Sequence, residues 1–482
     1  MAGKRGKRRF GGFAVRAAGG GEPGSETGNE SGSEGGSKNR QGQREAEFTG
    51  AYWKQQESPH FHCPKAAKGS AGNERKERRL TKKERYLVAL DVGSTKTCAI
   101  MSEPTDTGVK FVSMGAAESK GLRKGLIANI AAAATSVRRA IEEAEGVAGM
   151  PVERVIAGVA GSHVRGVNSR GGITLGHRAR DIHRDDVHHA VDAARNISLP
   201  EDRVVLHVLP QEFLLDAHDN IRDPLGMIGE RLEVNVHLVT SSASAMQNLV
   251  IAINQAGVEV ADTVLEPLAS AEACLTQDER DLGCCLLDIG GGTTELVIYA
   301  NGMLRHAAAI PIGGDHFTND LAVGLRTPIP EAEKIKRVCG SVFKDLIVED
   351  SPIEIASVGD RPPRTVYKRM LHEILEPRAQ ELLSLVRDEL QRSGFAKLIP
   401  AGLVLTGGGA QLKGLVELAE NMFHLPARVA VPRGLEGMPA DLSQPEYATV
   451  VGLLLYGARA RRQAPERPTT IVAKIKSMFA GG

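Results

Sequence analysis

Three times in this chain an apolar strand runs straight into a glycine-rich loop, and that repetition restricts the possible folds more than any other feature. The middle instance has the apolar run Cys284 to Leu287, the carboxylate Asp288, then Gly290, Gly291, Gly292, Thr293 and Thr294 before a returning strand, Glu295 to Tyr299. Consecutive glycines let a backbone approach a charged oxygen without Cβ atoms in the way, and their N–H groups can converge on an anion. Threonine hydroxyls add donors, and a carboxylate at the strand end can hold a metal ion or its water shell. A single hairpin of this kind is usually just a tight turn. Here Val88 to Val92 supply a second, with Asp91 followed by Gly93, Ser94, Thr95 and Lys96, and Leu403 to Ala410 supply a third through Gly407, Gly408, Gly409 and Ala410. Three junctions this far apart, carrying two aspartates, point to a nucleotide-phosphate site assembled from distant segments.

The 482 residues are enough for two to four folding units, and 41% hydrophobic content supports a sizeable core. A net charge of +1 gives no global electrostatic case for nucleic acid. The six cysteines, Cys63, Cys98, Cys274, Cys284, Cys285 and Cys339, lack metal-ligand spacing and read as buried free thiols of a reducing compartment. Residues 1–80 differ in kind: a basic start, Lys4 to Arg9, precedes a stretch of Gly, Ser, Glu, Asn and Gln that cannot bury enough apolar area to offset chain entropy, so disorder is expected. No apolar run follows the basic start, which argues against a secretory signal.

The folded body is expected from Tyr86. Apolar residues at Val137, Ala140, Ile141 and Ala144 predict one face of a helix over Ile130 to Glu145, and Val155 to Val159 predict a further core strand. Between Gly161 and His237 the pattern becomes that of a small α+β insertion, with a short strand at Gly171 to Leu175, a helix at Arg184 to Asn196 and strands at Arg203 to Pro210 and Arg231 to Thr240. His183, His188 and His189 lack carboxylate or cysteine partners at ligand spacing and read as surface residues. Ser241 to Gly257 predicts a helix, and Glu266 ends the next strand before Pro267, beside the expected cleft, as a water-orienting carboxylate or a helix cap. Leu371 to Leu390 predicts a long helix burying Leu375, Leu382, Leu385, Val386 and Leu390.

At the end of the chain Ile471, Val472, Ile475, Met478 and Phe479 form one apolar helical stripe, with Lys474 and Lys476 away from it. Such a segment on a linker suits the interface of an anionic membrane, the alternative being a helix docked on protein. No apolar run approaches the roughly 20 residues needed to span a bilayer.

The phosphate loops, together with VLHVLPQEF, VHLVTSSASAMQNLV, SVGDRPPR, HEILEPRAQELLSLV and YATVVGLLLYGAR, resemble the FtsA family of bacterial cell-division proteins, within the actin/Hsp70/sugar-kinase ATPase superfamily. The resemblance runs from about Tyr86 to Gly457 and includes the terminal stripe. It implies an α/β, actin-like two-lobed fold with RNase-H-like subdomains 1A (86–160, 238–262 and 431–460) and 2A (263–313 and 374–430). An SHS2-like insertion 1C (161–237) and an insertion 2B (314–373) would follow, with a linker (461–468) and a membrane-targeting helix (469–482).

The same resemblance implies ATP with Mg²⁺. Gly93, Ser94, Thr95 and Lys96 would border the phosphates from one lobe and Gly290 to Thr293 from the other, while Asp91 and Asp288 would hold the metal largely through water. Glu333 and Lys336 would reach the ribose, Gly407 to Ala410 would pass beneath the adenosine, and Glu266 would orient water, with at most weak hydrolysis. The implied partners are the C-terminal tail of FtsZ, at Arg364, Arg378 and Glu381; further copies of the chain, in a filament; late division proteins through 1C; and anionic lipid on the cytoplasmic face of the inner membrane at the septum. A small-molecule kinase and an Hsp70-type chaperone share the phosphate loops. The chain shows no further sugar-kinase signature and has no room for a β-sandwich substrate domain.

Overall fold

A computed structural model describes residues 86–462 except 107, 217 and 360; the tail 1–80, most of the linker and the amphipathic segment 469–482 lie outside the described residues. The chain forms two large sheets of like topology. The first runs Glu259–Leu265, Arg154–Val159, Leu87–Val92, Lys96–Pro104, Val109–Glu118 and the short Leu435–Glu436. The second runs Met303–Ile310, Thr294–Ala300, Cys284–Ile289, Leu403–Thr406 and Ala427–Val429. In each, three successive strands are antiparallel, and two later strands add in parallel beside the first of them. This is the expected RNase-H-like unit, present twice. The central strands Leu87–Val92 and Cys284–Ile289 are buried throughout, which is why they read as unbroken apolar runs rather than alternating ones.

Helices cover both outer faces. Ile130–Ala148 starts where the Asn129 side chain accepts the Ala132 N–H at 3.0 Å and stops at Gly149 in the left-handed conformation, φ 66°. It buries Val137, Ala140, Ile141 and Ala144 against the first sheet, as their spacing requires. Lys368–Ser393 covers the second sheet, but Leu385 is 38% exposed and Leu383 is buried in its place. The helix carries two adjacent leucines per turn there, and spacing alone does not decide which faces in. Between the sheets lie Glu266–Cys274 and Ala448–Arg462, in one apolar cluster with Leu87 and Ile156 of the first sheet and Leu286 and Val297 of the second. The strand Glu259–Leu265 pairs along its length with Arg154–Val159, so the expected division between residues 262 and 263 falls inside an element of the first sheet.

The insertion is a four-stranded sheet, ordered His218–Ile221, Arg203–Leu215, Arg231–Ser242 and Arg165–Thr174, with the helix Arg184–Arg195 packed on it. Its first strand is ten residues long, not the short strand expected from Gly171, because the polar run before the glycines hides it. The insertion leans on the edge of the second sheet: Gln211 donates to the Leu304 and Arg305 carbonyls at 3.2 and 2.9 Å, while inside the insertion Asn168 pairs with His237 at 2.6 Å. His237 stands edge-on to His306, which meets Glu389 of the long helix at 2.7 Å.

This seam gives stability a pH dependence. Burial and His306 push the His237 pKa down to about 3, and burial alone pushes His207 down to about 3, where its Nε2 accepts the Leu265 N–H. As pH falls below the ordinary 6.5, the unfolded chain takes up protons that these rings refuse, so stability falls with pH. Each ring contributes a slope of up to about 1.4 kcal/mol per pH unit. The buried carboxylates Asp91 and Glu295, raised by burial, act with the opposite sign over this range, so the histidine share is read by difference: in urea unfolding between pH 7 and 5, His207→Gln should shift the slope by one ring's share toward stability at low pH, and an unchanged slope in the variant would contradict the assignment.

Candidate functional site

The glycine loops after Asp91 and Asp288 face each other across a cleft of about 370 Å³ lined from both lobes. Both are built alike. In the first, the Gly93 N–H donates to the Lys96 carbonyl at 3.1 Å, and in the second the Gly290 N–H donates to the Thr293 carbonyl at 2.9 Å. Each closes a four-residue hairpin straight after a buried aspartate. The helix Gly314–Gly324 begins against the second loop, its Gly314 and Asp315 N–H groups donating to the Gly290 and Gly291 carbonyls at 2.9 and 2.8 Å. The third loop crosses above Asp288: Gly407 has φ 80°, and a Cβ there would stand 2.4 Å from Asp288 Oδ1, so both conformation and space require glycine.

The expected site residues Asp91, Gly93, Ser94, Thr95, Lys96, Glu266, Asp288, Gly290 to Thr293, Glu333, Lys336 and Gly407 to Gly409 all line this one cleft. Ala410 does not; it is buried behind the loop, in the core of the second lobe. Lys96 sits 3.1 Å from Glu446 Oε1 and 3.4 Å over the Tyr447 ring, so its ammonium is already partnered. Lys336 lies 2.6 Å from Glu333 and 3.0 Å from the Gly314 carbonyl, which ties that pair to the start of the adjoining helix.

Four carboxylates crowd the inner end. Burial pushes Asp91 up to about 7, with Lys96 opposing the shift and Asp288 adding to it. Asp288 is raised by burial despite hydrogen bonds from Ser270 at 2.5 Å and Thr449 at 3.1 Å. Burial, then Asp91, Glu295 and Asp288, raise Glu266 well above the usual range, and burial pushes Glu295 up to about 8. All-oxygen donors held this close favour a hard cation. Among the described residues no three His, Cys, Asp or Glu side chains converge to ligate a metal directly, His183, His188 and His189 included. Asp91 and Asp288, one from each loop, are carboxylates of the kind that hold a hard cation through its water shell.

Several contributors escaped sequence reasoning. Glu295 heads the otherwise apolar ELVIY strand, and a carboxylate in that position is the sequence signal for it. Ser270 and Thr449 look like ordinary helix residues until the helices carrying them are packed together at Asp288. The hairpin Leu122 to Ile127 roofs the cleft, with the Gly125 N–H donating to Ser94 Oγ at 3.3 Å.

Away from the cleft, Arg378 donates to Asp320 at 2.6 and 3.0 Å and to Glu381 at 2.5 Å, and Arg364 donates to the Leu325 carbonyl. Of the expected tail-binding residues, then, Arg378 and Glu381 are joined to each other, and Arg364 is anchored separately. Cys98, Cys274, Cys284 and Cys285 are buried free thiols as expected, Cys339 is half-buried, and Cys63 lies outside the described residues. Among the described residues no helix is long and apolar enough to cross a membrane.

Two like lobes around a cleft, with glycine loops from both and an α+β insertion in the first, define an actin-like fold. A solved structure of the PilM–PilN type IV pilus biogenesis complex has the same fold, with a TM-score of 0.57 at 19% identity over 77% of this chain and 98% of that one. The family model for cell division protein FtsA matches residues 285–452, and that for the SHS2 domain inserted in FtsA matches residues 161–240. The cell division protein FtsA of Pseudomonas aeruginosa is 45% identical over 77% of this chain and 89% of its own length. That of Escherichia coli is 35% identical over 77% and 90%. The chain belongs to the FtsA family of cell division proteins.

Proposed function

We propose that this chain binds Mg·ATP between its lobes and, in that state, links the C-terminal tail of FtsZ to the cytoplasmic face of the inner membrane at the septum. The observation that carries the reading is family membership combined with a cleft whose loops present glycine backbone, hydroxyls and paired aspartates from both lobes. Ser94, Thr95 and Lys96 would meet the phosphates from the first lobe, Lys96 exchanging Glu446 for the ligand, and Gly290 to Thr293 from the second. Asp91 and Asp288 would hold the hydrated metal, which neutralises phosphate charge when bound. Glu333 and Lys336 would reach the ribose and Gly407 to Gly409 would underlie the adenosine, Ala410 backing the loop from the core. Glu266 would orient water, with at most weak hydrolysis.

In this reading residues 161–237 are subdomain 1C, facing late division proteins, and 314–373 are 2B. Arg378, with Glu381 and Arg364 nearby, would receive an acidic peptide by exchanging its Asp320 contact for peptide carboxylates. The stripe Ile471, Val472, Ile475, Met478 and Phe479, with Lys474 and Lys476, would lie in the lipid interface, and nucleotide-bound copies would assemble into filaments. Co-sedimentation of a fluorescent FtsZ-tail peptide with anionic liposomes, ATP present, tests the linkage. The peptide should reach the pellet with the full chain and stay in solution with a chain ending at Pro468. Liposome binding that never brings the peptide down would overturn the adaptor reading.

A further inference from the structure

We propose that His163 senses the terminal phosphate of the bound nucleotide: a neutral imidazole whose Nε2–H donates to a phosphate oxygen, so that the chain tells a nucleoside triphosphate from a diphosphate. This deepens the nucleotide reading of the cleft and rests on it.

His163 lies in the loop between the strands Arg154–Val159 and Arg165–Thr174, at the start of the insertion, and lines the cleft. The loop belongs to the phosphate end. Its Gly161 N–H donates to Glu295 Oε1 at 3.1 Å, on the strand that leaves the second phosphate loop. A Cβ on Gly161 would stand 3.0 Å from His163 Nδ1 and 3.1 Å from the Gly125 carbonyl, and Gly125 is the residue bonded to Ser94 of the first phosphate loop. The histidine is thus packed among groups tied to both loops.

The ring's own environment fixes its role. Nδ1 is buried with no hydrogen-bond partner, which leaves Nε2 as the nitrogen able to reach a ligand. An orphaned buried N–H is less tolerable than an orphaned lone pair, so the neutral ring carries its proton on Nε2 and is a donor toward the cleft. Burial first, and the nearby Arg203 second, lower the pKa of His163 and keep it neutral. Arg203 also holds the loop in place: its guanidinium donates to the His163 carbonyl at 3.0 Å and to the Thr240 carbonyl at 2.8 Å, clamping the loop to the strand Arg231–Ser242.

The test uses the full-length chain with Mg·ATP and Mg·ADP as probes, measured by titration calorimetry on the wild type, His163→Phe and His163→Gln. Phenylalanine keeps the ring's volume without a donor; glutamine restores a donor. His163→Phe should lose about tenfold or more in ATP affinity, the range for a hydrogen bond to a charged acceptor, and less than about threefold for ADP. His163→Gln should recover most of the ATP loss, which a packing role would not predict. An unchanged ratio of ATP to ADP affinity in His163→Phe, whether both fall or neither does, would overturn the proposal while leaving the nucleotide reading intact. A wild-type chain that bound neither nucleotide would overturn both.

Discussion

Gly452→Val is expected to be among the most damaging single substitutions in the folded body. Gly452 lies where the helix Ala448–Arg462 crosses Glu266–Cys274, and a Cβ on it would stand 1.8 Å from the Ala269 carbonyl oxygen and 2.3 Å from the carbonyl carbon. The obstacle is backbone, so no rotamer change relieves it. Neither helix can retreat, because both are wedged between the two sheets; five residues on, a Cβ at Gly457 would meet Ile156 Cδ1 at 2.2 Å. Overpacking costs about 1–3 kcal/mol where side chains can yield, and here the cost should exceed about 3 kcal/mol. That is a large share of the roughly 5–15 kcal/mol that holds a domain together. Thermal unfolding should show a fall in midpoint of roughly 5 °C or more. Gly146→Ala provides the contrast: Gly146 is helical and exposed with nothing within 4 Å of an added Cβ, so alanine should stabilise by about 0.5–1 kcal/mol. Equal effects of the two substitutions would refute the close crossing.

Gly292→Val should remove nucleotide binding and leave the fold in place. A Cβ at Gly292 would stand 2.7 Å from Ser94 Oγ and 3.1 Å from the Lys124 Cα, in the gap between the loops of the two lobes. Valine there would occupy the space proposed for phosphates and prop the two loops apart at the same time. A bound triphosphate would make several charge-assisted hydrogen bonds in this gap, each worth about 1.5–3 kcal/mol, so a loss of roughly 100-fold or more in affinity follows from losing two of them. The strands on either side, Cys284–Ile289 and Thr294–Ala300, keep their pairing, and unfolding should be little changed.

The two lobes were legible in the sequence because parallel central strands are apolar on both faces, and because glycine loops after Asp91, after Asp288 and at Gly407 mark where such strands end. The cleft was legible for a related reason: a backbone that must approach an anion closely tolerates few residues other than glycine. What stayed hidden depends on contacts between elements far apart in the chain. Glu446 and Tyr447 give no sign that they hold Lys96, some 350 residues away along the chain. His163 looks like any loop histidine until the fold buries its Nδ1 beside Gly161. The long strand Arg165–Thr174 was obscured because all of its residues are exposed or half-buried and Gly171 serves the helix above: a Cβ there would stand 2.1 Å from the Ala194 nitrogen. Leu385 shows the limit of periodicity, since a leucine one position from the buried stripe cannot be assigned a face from spacing alone.

The most direct measurement is titration calorimetry of Mg·ATP into the full-length chain, with Gly292→Val measured beside it. One saturable site in the wild type that disappears in the variant is the expected result. No saturable heat with the wild type, or a variant that binds as tightly, would contradict a nucleotide site between the lobes.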